Sequence, residues 1–135
     1  MSTHHPAQYR QLAHLADGAQ LFLTSVRQWL ASYQVEECGC CAMRPQYQAH
    51  NIEIALPVLN ELMCFLSLAA AKDLVIKQPC DTDVSEDEAA LLQMMRAVEA
   101  NHPHAAYQHA DWYFPPPLAT TFFRISRCLL DFYDG

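Results

Sequence analysis

Residues 38 to 41 read Cys-Gly-Cys-Cys, which places three of the chain's six cysteines within four positions. Cys38 and Cys41 form a Cys-x-x-Cys pair, and Gly39 lets the backbone turn both sulfurs toward one point. Thiols at this spacing serve two chemistries. As thiolates they bind a transition metal, and as a dithiol they exchange with disulfides. For metal binding Cys40 is a spare, because adjacent thiolates reach a single ion only with backbone strain. His50, nine residues beyond Cys41, is the third candidate ligand, and His102 or His104 supplies a fourth. Thiolate and imidazole together suit zinc, the expected cofactor. The exchange chemistry is weakened by the acids Glu36 and Glu37 and by the helix end read just before them, which raise a thiol pKa. The bland alternative is inert packing, since cysteine is among the residues most often buried.

The elements that must position these thiols read as helices. Glycine occurs only at Gly18, Gly39 and Gly135, too few for a chain of tight β-turns or a phosphate-binding loop. From Gln8 to Gln34 the apolar residues Leu12, Leu15, Ala19, Phe22, Val26, Trp29 and Tyr33 step by three or four, the period of one helix face. A loop holds the cysteines. Asn51 then caps a second helix over Ile52 to Ala71, whose polar stripe is only Glu53, Pro57, Glu61, Cys64 and Ser67, so it is expected to be the most enclosed element. Pro57 implies a bend or a later start.

Lys72 to Val84 reads as a connector. Ser85 with Glu88 matches a capping box and starts a third helix, carrying Leu91, Met94, Met95 and Val98 and ending near Asn101. A short helix from His104 to Tyr113 follows. Pro115-Pro-Pro117 launches the last, with Leu118, Phe122, Ile125, Leu129 and Phe132 inward and Thr120, Arg124, Arg127 and Asp131 outward. The expected fold is therefore all-α, one domain over residues 1–135, built as an antiparallel bundle of four main helices and one short one. In that topology the cysteine loop and the end of the third helix share a pole. His102 and His104 should then lie near Cys38, Cys41 and His50, with Cys80 at the other pole unless residues 72 to 80 run back at about 3.3 Å each.

At 135 residues, 52% hydrophobic and 17% charged, the chain can bury a core without staples. A net charge of −7 and scattered Arg and Lys argue against nucleic acid and anionic membrane as partners. The first residues lack a basic start followed by an apolar run, and the longest apolar stretch, Leu62 to Ala71, is about half of a membrane span. A soluble, cytoplasmic protein with reduced cysteines is expected.

Other motifs carry less. His102, His104, His109 and Asp111 could serve a helical enzyme, but a solvated histidine-rich corner is the better explanation. Glu99 with His102 has di-iron spacing without the second pair such a site needs. Asp81, Asp83, Glu86, Asp87 and Glu88 resemble a calcium loop, yet its sixth position is Glu86 and its twelfth Leu92. No serine-nucleophile elbow or zinc-protease helix is present. The high apolar fraction also fits a metal-free interaction module, a homodimer or partner-binding domain, in which Trp29, Trp112, Tyr113 and Phe114 pack the core or form a docking edge.

Overall fold

Prolines or a polar cap start four of the described helices of this chain, and left-handed residues other than glycine follow three. The computed structural model describes residues 11–69, 74–111 and 113–134. Among these the fold is all-helical, with six helices: α1 (Asp17–Gln34), α2 (Gly39–Ala49), α3 (Leu56–Ala69), α4 (Glu86–Glu99), α5 (Pro103–Ala110) and α6 (Pro116–Asp134). α1 begins later than its periodicity suggests. Leu12 to His14 form a separate 3-10 turn before it, and Gln8 to Arg10 lie outside the described residues.

Three helices close in the same way. Glu36, Asn51 and Asn101 take φ of 60°, 58° and 59° just beyond the ends of α1, α2 and α4. The next residue's N–H then reaches back into the last turn: Glu37 to Ser32 O at 2.8 Å, Ile52 to Tyr47 O at 2.8 Å, His102 to Ala97 O at 2.9 Å. These are Schellman closures, which satisfy carbonyls the helix leaves orphaned. Asn51 therefore ends α2 and does not cap α3. Asparagine is favoured in both places, so its identity alone could not decide.

α2 is the helix that sequence reading takes for a loop. Gly39 at its start and Pro45 inside it both disfavour helix locally. Met43 and Tyr47, four apart, are buried on one face and hold it against the core. α3 starts after Ile52, with Pro57 in its first turn, so the proline delays the helix instead of bending it. The expected stripe of Glu53, Pro57, Glu61, Cys64 and Ser67 is exposed. The most enclosed helix is nonetheless α4, where nine of fourteen residues are buried, including Asp87 and Glu88. Lys72 lies outside the described residues.

α1 packs against α2, α3 and α4, while α6 closes the core from α3, α4 and α5. Phe22, Leu23, Leu59, Leu62, Leu91, Met94, Phe122 and Leu129 form its centre. Along α6, Phe122, Ile125 and Leu129 point inward as expected, but Leu118 is exposed and Ala119 takes its place. Tyr113 and Phe114 are buried, and Trp112 is outside the described residues. The capping box is complete: Ser85 Oγ accepts from Glu88 N, and the Glu88 carboxylate accepts from Ser85 N.

That carboxylate does more than cap. Arg27 of α1 donates to both Glu88 oxygens at 2.8 and 2.9 Å and to the carbonyls of Asp81 and Asp83 at 2.7 and 2.6 Å, with both side chains fully buried. Asp87 accepts from Val75 N and from the Tyr113 hydroxyl. The start of α4 thus binds α1 and the 74–84 connector together. It also sets direction. The start of α4 meets the middle of α1, and its end meets the beginning of α1, so the two helices run antiparallel.

Candidate functional site

Three residues, Val35 to Glu37, separate α1 from Cys38, the N-cap of α2. The Schellman closure at Glu36 turns the chain, and the start of α2 then rests on an indole ring. A Cβ on Gly39 would stand 2.3 Å from Trp29 Cδ1, so only glycine permits this approach. Trp29 is held in turn by its Nε1–H donating to Asn60 Oδ1 at 3.2 Å and by Tyr33 stacked on it at 5.4 Å. Tyr33 is otherwise exposed, at 64%. The first turn of α2 is therefore fixed by α1 and α3.

Cys38 Sγ accepts the Cys41 backbone N–H at 3.2 Å, the bond a capping oxygen usually makes. The thiol of Cys41 lies beside the same sulfur. Those two contacts, thiol first and backbone second, lower the Cys38 pKa, with smaller help from the Cys40 N–H and the Arg44 charge. Cys41 moves the other way, raised first by the Cys38 side chain. Both side chains are exposed. Cys40 turns inward, donates to Leu56 O at 3.5 Å, and burial raises its pKa.

The Cys38 pKa is lowered, against expectation, although the pair does follow the C-terminus of α1. The cysteines stand at a helix N-terminus, where orphan N–H groups favour thiolate. The missed signal was available. Met43 and Tyr47 at helical spacing, with Cys38 and Cys41 in the same register as Ser85 and Glu88, mark a capped helix start.

The candidate ligands are not brought together. His50 is the C-cap of α2, at the far end of a helix of 11 residues, roughly 16 Å at 1.5 Å per residue. His102 and His104 follow the end of α4, at the pole where α1 begins, whereas Cys38 follows the end of α1. The extra helix α2 reverses the direction of α4 relative to a count without it, and this moves the histidines to the opposite pole. Cys80 is exposed beside Asp81, whose carbonyl meets Arg27 midway along α1. Among the described residues no three His, Cys, Asp or Glu side chains converge where a metal ion could be held. His102, His104, His109 and Asp111 are exposed, and His104 contacts Gln108 at 3.3 Å. No described helix is long and apolar enough to cross a membrane.

Fold and site together define a small all-helical protein with an exposed dithiol at a helix N-cap. No family model matches the chain, and neither a curated protein nor a solved structure matches it.

Proposed function

We propose that the chain is a dithiol protein in which Cys38 attacks, and Cys41 resolves, during exchange with a disulfide of a partner molecule. The supporting observation is the Cys38 sulfur at the α2 N-cap, accepting the N–H of Cys41 at 3.2 Å, with both thiols exposed. The Cys38 thiolate forms a bond to one sulfur of the partner's disulfide, and the other sulfur leaves as a thiolate that takes a proton from water. Cys41 then loses its proton and attacks Cys38 Sγ, releasing the partner's second sulfur as thiolate. Two electrons pass to the partner, and the protein keeps a Cys38–Cys41 disulfide. Both sulfurs come from one helical turn, so closure demands little of the antiparallel bundle we assign as their scaffold. In a reducing cytoplasm the pair rests as the dithiol.

Titration of the protein against glutathione redox buffers, read by mass spectrometry, tests this. The expected result is a single two-electron transition that Cys38→Ser and Cys41→Ser each abolish, with Cys41→Ser accumulating glutathione on Cys38. Alkylation should reach Cys38 before Cys41 at neutral pH. Failure to form the Cys38–Cys41 disulfide in fully oxidising buffer sinks the proposal.

The exposed pair also favours a second reading, in which two thiolates are half of a zinc site. His50, His102 and His104 start at other ends of their helices, so the remaining ligands come more directly from Cys38 and Cys41 of a second copy. Such a homodimer would hold about one zinc ion per two chains. Metal analysis joined to sedimentation decides it, since a metal-free monomer after zinc exposure removes this reading.

A further inference from the structure

At the pole away from the dithiol, the start of α1 and the ends of α4 and α6 enclose a cavity of about 320 Å³, the scale at which small-molecule sites begin. Phe22, Leu92, Met95 and Leu130 form its apolar wall. Gly18 leaves the mouth open, for a Cβ there would meet no atom within 4 Å. Tyr133 closes one side. Its hydroxyl is fixed by Tyr47 at 2.6 Å, which is bonded to Ser25 at 2.9 Å, and burial raises its pKa, so it stays a neutral hydrogen-bonding group.

The rim is charged in a specific way. Arg96 and Glu99 stand three residues apart on α4, the spacing at which opposite charges commonly pair. Here neither side chain makes an ion pair or hydrogen bond among the described residues, with the other or with anything else. A ligand carrying only a carboxylate would set its charge beside Glu99. One carrying only an ammonium would set its charge beside Arg96. A small zwitterion with an apolar body satisfies both charges and the wall together.

We infer that this cavity binds an apolar α-amino acid, with its side chain against Phe22 and Met95, its carboxylate on Arg96 and its ammonium on Glu99. Nothing in this site depends on the dithiol, so either can fail without the other.

Calorimetry and NMR titration of the full chain with L-leucine and L-phenylalanine test the inference, with phenethylamine and 3-phenylpropanoate as half-charged controls. Saturable binding of at least one amino acid is expected, with shifts at Phe22, Met95 and Leu130. Each control should bind about tenfold more weakly than L-phenylalanine, or not at all if the site prefers leucine. Arg96→Gln and Glu99→Gln, both on the exposed rim, should each weaken the bound amino acid about tenfold while the circular dichroism spectrum stays unchanged. The inference is overturned if neither amino acid saturates the protein, if a control binds as tightly as the amino acid, or if both variants bind unchanged.

Discussion

The N-termini of α2 and α4 are built on the same plan and end in opposite chemistry. In each, the N-cap side chain accepts the N–H three residues on: Ser85 Oγ from Glu88 at 3.0 Å, Cys38 Sγ from Cys41 at 3.2 Å. On α4 the side chain at that third position also returns to the cap residue, the Glu88 carboxylate accepting from Ser85 N at 2.9 Å. What differs is the surroundings. Glu88 is buried against Arg27 and is consumed by structure, whereas Cys38 and Cys41 face solvent as free thiols. The same local geometry is a joint where the core closes over it and an exposed thiol pair where it does not.

The sharpest way to break this contrast is Glu88→Ala. It leaves the Arg27 guanidinium buried without its carboxylate, together with the N–H groups of Ser85 and Lys77. A loss of about 3–5 kcal/mol is expected in urea denaturation. Gly39→Ala should cost about 1–3 kcal/mol, because the new Cβ must displace the Trp29 ring, and tryptophan fluorescence should shift with it.

Removing the caps themselves separates the two termini further. Ser85→Ala should cost about 1 kcal/mol. Cys38→Ala should cost less, since sulfur is the weaker acceptor and the site is solvated, yet it should abolish the thiol chemistry that Ser85→Ala leaves intact. The smallest effect is expected at Glu36, whose left-handed backbone disfavours a side chain. Glu36→Gly should stabilise the protein by about 0.5–1 kcal/mol and leave Cys38 reactivity unchanged, checked by thermal melting and alkylation rate.

Local signals were legible from the chain and long-range ones were not. Ser85 with Glu88, the prolines before α5 and α6, and the periodicity of α1 all act within a few residues, so composition and spacing reveal them. α2 was hidden because Gly39 and Pro45 oppose a helix locally, while the contacts that hold it, Met43 and Tyr47 in the core and Trp29 beneath Gly39, join distant segments. That one omission reversed the inferred direction of α4, and with it the expected neighbours of Cys38. Arg27 could be counted as a scattered charge, but its partner lies 61 residues away.

By itself the sequence determined an all-helical chain, the starts of α4, α5 and α6, and the Cys38–Cys41 pair as the place to look for chemistry, because each follows from residue types a turn or less apart. Only the tertiary structure decided that the pair caps a helix instead of ending a loop, that His50, His102 and His104 lie elsewhere, and that Arg96 and Glu99 overhang an apolar cavity. Those facts depend on which helices pack and in which direction, and burial across the whole chain sets both.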